Sequence, residues 1–175
     1  MEEIEIEPQP GKQTLFFKSK ADIAIFGGSA GGGKSWSLLV EPLRHIHKKG
    51  FSGIIFRRTY PQIMNPGGLW DASTNIYPIL KAKSSDTSWY FDNGDFKTEI
   101  NFSHMQLEKD KFNFQGAEIP FIGFDELTHF SEGQFFYMLS RNRSTCGVKP
   151  YIRATCNPDP DSWLRQFLDW WIDPV

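Results

Sequence analysis

The chain has 175 residues, 39% of them hydrophobic and 15% aromatic, which is enough to bury the core of one globular domain and excludes a disordered chain. Its formal net charge of −2 excludes a globally basic protein, so contact with nucleic acid would need a local basic patch or another domain. The sequence has no membrane-length apolar run and no signal peptide, which favours a cytoplasmic protein without membrane contact. Its two cysteines, Cys146 and Cys156, lack zinc-ligand spacing, which favours two reduced thiols.

Predicted strands and helices alternate along the chain. Residues 21–26 form an apolar run that ends in a glycine cluster, which is typical of a buried strand entering a loop. Apolar residues at helical spacing predict a helix over 36–47, and a strand follows at 53–56. Asn93-Gly94 separates two β-patterned runs, 88–91 and 97–102, which predicts a β-hairpin. Further strands are predicted at 119–124 and 150–155 and helices at 132–141 and 161–171, whereas 61–83 mixes helix and loop signals.

This alternation implies parallel βαβ units, and so an α/β three-layer fold with a mainly parallel central sheet plus the β-hairpin. We expect a single domain over residues 1–175.

The segment 28–35 matches the phosphate-binding P-loop without a gap; it reads Gly28, Ser29, Ala30, Gly31, Gly32, Gly33, Lys34 and Ser35. Glycines let the backbone turn with positive φ and bring N–H groups against phosphate oxygens, and the start of the following helix favours the same negative charge. Lys34 can reach the β- and γ-phosphates, and the Ser35 hydroxyl can bind Mg²⁺. The sequence therefore predicts binding of a nucleoside triphosphate with Mg²⁺.

Two adjacent carboxylates, Asp125 and Glu126, follow the apolar strand predicted at 119–124. They lie at the carboxyl end of that strand, the edge where open α/β sheets bind ligands. Asp125 can hold the magnesium ion, directly or through water, and Glu126 can orient and deprotonate an attacking water. A glutamate at this position favours hydrolysis over simple switching, because it supplies a base.

Two further polar positions complete the predicted site. The strand at 150–155 ends in Thr155, Cys156 and Asn157, and beside the Asp125 strand Thr155 and Asn157 could sense the γ-phosphate or the nucleophilic water. Gln13 lies upstream of the first strand, and its amide can pair with the donor and acceptor edge of adenine.

Together these residues resemble the ATPase domain of tailed-bacteriophage terminase large subunits, the motors that package DNA. The matching segments follow the family's order over nearly the whole chain: 10–16, 21–35, 56–61, 114–118, 122–129, 139–144 and 154–158. The resemblance implies an ASCE-type P-loop fold divided into an adenine-side segment at 1–20, a core at 21–160 and a C-terminal helix at 161–175 that leads to a nuclease domain. We expect the chain to be a fragment or an excised ATPase domain, since it ends before such a domain.

Carried over residue by residue, the resemblance implies that Lys34 and Ser35 bind phosphate and magnesium, that Asp125 is the Walker B aspartate and that Glu126 is the catalytic glutamate. Thr155 and Asn157 fall in the coupling motif, which links hydrolysis to DNA movement, and Gln13 is the implied adenine contact.

An arginine supplied by a neighbouring subunit often stabilises the transition state in such motors. Some terminases carry it just upstream of the Walker B strand, where this chain has Lys111 and Gln115 instead. The finger candidates are the four arginines Arg57, Arg58, Arg141 and Arg143.

The leading prediction is an ATP-hydrolysing motor that moves double-stranded DNA, with ATP and Mg²⁺ as cofactors. The resemblance implies a ring of identical subunits, a portal and a small terminase subunit as partners, and the cytoplasm of an infected bacterium as the location. A helicase-like ATPase and a non-catalytic, nucleotide-dependent assembly module remain open as alternatives, because both share the P-loop core.

Overall fold

The structure is a computed structural model, and it describes residues 6–28 and 33–171, with the side chain of residue 171 left out. Six α-helices lie within these ranges: α1 Lys12–Lys18, α2 Lys34–Val40, α3 Tyr60–Met64, α4 Leu69–Thr74, α5 Glu132–Leu139 and α6 Trp163–Phe167. Seven strands accompany them: β1 Ile23–Gly27, β2 Ser52–Arg57, β3 Lys83–Ser85, β4 Ser88–Asp92, β5 Lys97–His104, β6 Phe121–Phe124 and β7 Tyr151–Cys156. Short 3₁₀ turns cover Glu41–His45, Tyr77–Leu80, Glu108–Phe114, Leu127–His129 and Asp169–Trp171.

The seven strands form one sheet in the order β1-β7-β6-β2-β5-β4-β3. Strands β1, β7, β6, β2 and β5 are parallel, and the β5-β4-β3 end is antiparallel. The hairpin predicted around Asn93-Gly94 is confirmed: Asp92 pairs with Lys97, and Gly94 takes the positive φ of +85° that a tight turn requires. The mainly parallel sheet is confirmed as well, because four of the six strand pairings are parallel.

Helices cover both faces of the sheet, so the predicted three-layer α/β architecture is confirmed. Successive residues of β2 alternate between two hydrophobic clusters, with Ile55 on one face and Phe56 on the other. The Ile55 cluster includes Leu38 of α2 and Leu69 of α4. The Phe56 cluster includes buried side chains of α5 and α6, among them Phe135.

Several elements differ from the sequence-based expectation. The helix predicted over 36–47 begins at Lys34 and changes to a 3₁₀ turn at Glu41, where Pro42 has no N–H to continue the α-helical ladder. The helix predicted over 161–171 divides into α6 and the turn Asp169–Trp171. Helix α1 and strand β3 were not predicted. Proline and glycine directly precede α1, and β3 has only three residues, all exposed.

A buried charged cluster joins α2 to β7. Glu41 accepts a hydrogen bond from Arg44 at 2.8 Å, and its other oxygen lies 3.5 Å from Nε of Arg153. Arg153 also donates to the carbonyls of Ala21 and Ser19 at 3.0 and 2.9 Å, which fixes the chain between α1 and β1. Burial raises the pKa of Glu41 to about 7, although both arginines act in the opposite direction. In the part of the chain that is described, no helix is long and apolar enough to cross a membrane.

Candidate nucleotide site

The parallel strands bring the predicted site residues to one edge of the sheet. Strand β7 lies between β1 and β6, with Thr155 opposite Phe26 and Ala154 opposite Phe124. Asp125 follows β6 directly, and its N–H donates to the carbonyl of Phe56 in β2 at 2.9 Å. The carboxyl ends of β1, β7, β6 and β2 therefore meet at this edge, which is where open α/β sheets bind ligands.

Asp125 is the centre of the site. The side chain is almost completely buried, and its Oδ1 accepts hydrogen bonds from the hydroxyls of Thr155 at 2.7 Å and Ser35 at 3.0 Å. Its Oδ2 lies 3.2 Å from Nε of Arg57. The structure thus places together Ser35 and Asp125, the two residues predicted to bind a metal ion.

Glu126 is held beside Asp125 by an unusual backbone conformation. Its φ of 59° and ψ of 64° lie in the left-handed region, which costs a non-glycine residue on the order of 1 kcal/mol. Its N–H donates to Thr155 Oγ1 at 3.0 Å, and its carboxylate accepts from the N–H and the Nδ2 group of Asn157, both at 3.2 Å. Strain of this kind persists where surrounding contacts fix it, and it is common at functional sites.

Asn157 also connects Glu126 to Lys34. Lys34 Nζ donates to Asn157 Oδ1 at 3.0 Å and to the carbonyl of Gly28 at 2.6 Å. Gly33, with a φ of +67°, turns the chain into α2 at this lysine. The predicted P-loop residues Ser29, Ala30, Gly31 and Gly32 lie outside the described residues, so their contacts with phosphate stay predictions.

A cavity of about 260 Å³ adjoins the P-loop lysine. Its walls come from the N-terminal segment and from the end of β1: Gln9, Pro10, Lys12, Gln13, Phe26, Gly27, Gly28 and Lys34. Gln13 is buried, its Oε1 accepts from the N–H of Gln9 at 2.9 Å, and its Nε2 lies so close to Gly33 that a Cβ there would be 2.2 Å away. Gln13 therefore lines the same cavity as Lys34, and its role as an adenine contact stays a prediction.

The four arginine-finger candidates lie in different surroundings. Arg57 contacts Asp125 of its own chain, and Arg58 Nη1 donates to the Met105 carbonyl at 2.9 Å and to Gln134 Oε1 at 2.7 Å. Arg141 and Arg143 lie at the opposite edge of the sheet, beside the segment that leads into β6. The Arg141 carbonyl accepts from the N–H of Ile119 at 3.1 Å, and Arg143 Nη2 donates to the Ala117 carbonyl at 3.4 Å. Which arginine reaches a neighbouring subunit stays a prediction.

The contact between Arg57 and Asp125 was missed by sequence reasoning, which considered Arg57 only for a neighbour's site. The available signal was positional, since Arg57 ends a strand and the carboxyl ends of parallel strands share an edge. Strand order could not be read from the sequence.

The two cysteines are free thiols, and burial raises the pKa of Cys156 above its ordinary value.

The donor set fits a magnesium ion. Magnesium prefers one or two carboxylate or hydroxyl ligands and completes its octahedron with water and substrate phosphate. Asp125 and Ser35 supply such oxygens within hydrogen-bond distance of each other. Among the described residues, no group of three or more His, Cys, Asp or Glu side chains could enclose a metal ion, so a fully protein-bound site is not formed there.

A protein-family model described as the terminase large subunit, T4likevirus-type, N-terminal, matches residues 25–174. The chain belongs to this family. The matched range begins within β1 and contains Lys34, β2, Asp125, Glu126 and β7. The resemblance inferred from the sequence segments is therefore confirmed. No curated protein matches the sequence of this chain.

Solved structures of phage terminases share the fold of this terminase domain. The large terminase of a thermophilic bacteriophage matches with a TM-score of 0.69 and 17% identity over 94% of this chain and 44% of its own. The HK97 bacteriophage large terminase gives a TM-score of 0.69 at 11% identity, over 94% of this chain and 36% of its own. The Thermus phage P74-26 ATPase domain gives 0.62 at 16% identity, over 93% and 69%. The chain thus spans less than half the length of the first two proteins.

Proposed function

We propose that this terminase domain hydrolyses ATP and that hydrolysis powers movement of double-stranded viral DNA into a procapsid. The observation that supports this most directly is the continuous chain of contacts from Lys34 through Asn157 to Glu126, beside the Ser35–Asp125 pair. These groups match the phosphate ligand, the metal ligands and the general base of a P-loop ATPase.

Nucleotide binding follows from the shape and charge of the site. The cavity beside Lys34 has room for a base next to the Gln13 amide, and Lys34 supplies a positive charge where the phosphates would lie. Crystal structures of the same thermophilic-phage large terminase with ADP and with ATP-γ-S match this chain with TM-scores of 0.63 and 0.62. These complexes support the proposal that this chain binds a nucleotide.

Magnesium would be held by Ser35 and Asp125. When bound, the ion supplies charge neutralisation on the β- and γ-phosphate oxygens. The Thr155 hydroxyl donates to Asp125 and accepts from the Glu126 N–H, so one side chain fixes both the metal-binding carboxylate and the start of the Glu126 turn.

Glu126 would act as the base for hydrolysis. Its carboxylate would accept a proton from the water that attacks the γ-phosphate, while Lys34 would stabilise the charge that develops on the phosphate oxygens. Asn157 contacts both residues, so loss of the γ-phosphate would change the partners of Asn157 at the end of β7. This is our proposed route from hydrolysis to movement, and it gives Thr155 and Asn157 the coupling role.

The remaining parts of the proposal concern the assembled motor. We place this domain in a ring of identical subunits that binds double-stranded DNA and works with a portal and a small terminase subunit in the cytoplasm of the infected bacterium. One of the arginines would complete a neighbour's site, an effect of ~10³–10⁵ in rate where it occurs.

Steady-state hydrolysis by the Glu126→Gln variant tests the proposed base. We expect the rate to fall about 10²–10⁴-fold, the usual contribution of a general base, while nucleotide binding is retained. Glu118→Gln, which makes the same change at an exposed glutamate upstream of β6, should hydrolyse ATP like the wild type.

Three results would oppose the proposal. Equal rates in wild type and Glu126→Gln would remove Glu126 from the base role. Nucleotide-dependent assembly of a wild type that does not turn over ATP at any protein concentration would favour the non-catalytic assembly module. Strand unwinding in the same preparations would favour the helicase-like alternative.

A further inference from the structure

Arg57 occupies the one side of Asp125 that the hydroxyl groups leave open. Oδ1 of Asp125 is used by Ser35 and Thr155, whereas Oδ2 faces Nε of Arg57 at 3.2 Å. The Arg57 side chain is 23% exposed, and its Nη1 is buried without a hydrogen-bond partner among the described residues. Among the described residues, the guanidinium therefore contacts Asp125 through one nitrogen, and another nitrogen lacks a hydrogen-bond partner.

The neighbouring arginine shows that this arrangement is specific to Arg57. Arg58 is anchored to Met105 and Gln134, with two hydrogen bonds shorter than 3.0 Å. Arg58 follows the end of β2, and these two contacts hold its guanidinium at Met105 and Gln134 rather than at Asp125. The charge facing Asp125 within this part of the chain is thus supplied by the last residue of β2.

A buried carboxylate needs a positive partner, because desolvation of an isolated charge is costly. Asp125 is almost fully buried, and Arg57 supplies that partner. A divalent cation that approaches Asp125 and Ser35 meets the guanidinium at the same carboxylate. Two cations at one carboxylate repel each other, so Arg57 and the metal compete.

We propose that Arg57 takes the place of the metal ion in its own subunit: its guanidinium holds Asp125 until magnesium and nucleotide bind, and their binding displaces it. The inference rests on the proposed ATPase function. It assigns Arg57 to the site of its own chain, as a positioning residue that acts through Asp125. The magnesium requirement of nucleotide binding is then set partly by Arg57.

Binding of a fluorescent ADP analogue, titrated with MgCl₂, tests the competition without any turnover. We expect Arg57→Gln to lower the half-saturating MgCl₂ concentration about tenfold, equivalent to ~1.4 kcal/mol. Lys149→Gln is the matched control, since it removes the same charge from an exposed side chain at the opposite edge of the sheet. Its half-saturating concentration should equal that of the wild type.

A second measurement uses the wild type and so does not depend on how the variant folds. The Arg57 Nε–H signal in ¹⁵N NMR should be protected from exchange with solvent without ligand and with ADP alone. Addition of MgCl₂ to the ADP complex should remove that protection, because the guanidinium leaves Asp125.

The inference is overturned by an unchanged or raised MgCl₂ requirement in Arg57→Gln, or by protection that persists with MgCl₂ and ADP. These failures leave the ATPase proposal intact, since nucleotide is still bound. Failure of the wild type to bind the ADP analogue at all would overturn both.

Discussion

Thr155 is the residue whose removal should reveal how the two carboxylates are held. Its side chain is fully buried; its hydroxyl donates to Asp125 Oδ1 at 2.7 Å and accepts from the Glu126 N–H at 3.0 Å. Thr155→Val keeps the shape and removes both bonds. A hydrogen bond to a charged group contributes about 1.5–3 kcal/mol and a neutral one about 0.5–1.5, so the variant should lose about 3 kcal/mol of stability.

Urea and thermal unfolding measure this loss. For a chain of this size, about 3 kcal/mol corresponds to a fall in Tm of roughly 6–12 °C. ATP hydrolysis should fall about 10²-fold, because the Glu126 turn loses its anchor and the base is misplaced. Thr155→Ser restores the hydroxyl and should recover most of both losses.

Thr98 provides a matched control for the Thr155 prediction. Its side chain is buried, and Oγ1 donates to the Ile46 carbonyl at 2.6 Å. Thr98 lies in β5, two strands away from β6 and Asp125. Thr98→Val should cost about 1 kcal/mol and leave hydrolysis unchanged. If Thr155→Val were no less stable than Thr98→Val, the Thr155 hydroxyl would not hold the two carboxylates as we infer.

Two other predictions concern the start of α2 and the buried charge at its end. Gly33→Ala should lose about 1–2 kcal/mol of stability, because φ of Gly33 is +67°. It should also weaken nucleotide binding, because the new Cβ would displace Gln13. Gly94→Ala has a similar backbone cost in the hairpin and should bind nucleotide normally. Equal affinities in the two variants would contradict the Gln13 placement. Burial raises the pKa of Glu41 from 4.5 to about 7, so the folded state holds a proton that the unfolded chain has released across that window. Stability should therefore fall by up to ~3 kcal/mol as the pH rises from about 4.5 to 7. Urea unfolding over this pH range tests this, and an identical pH profile for Glu41→Gln and the wild type would contradict it.

Strand β7 shows how far sequence reasoning reached into the candidate site. The run of apolar residues ending in Thr155 and Asn157 predicted a strand, and the structure places it between β1 and β6. The hydrogen bonds from Asn157 to Glu126 and from Lys34 to Asn157 were not predictable, because they join residues 31 and 123 positions apart. Such distances depend on which strands become neighbours, and local patterns do not record that choice.

The sequence by itself determined the family of this domain and the local motifs of its candidate site. The P-loop, the Asp125-Glu126 pair and the hairpin at Asn93-Gly94 each depend on residues close together in the chain, where backbone conformation and local hydrogen bonding decide the outcome. Only the tertiary structure decided which charge faces Asp125. Arg57 reaches it because β2 packs beside β6, and pairing between distant strands follows from burial of both faces of the sheet rather than from any local signal.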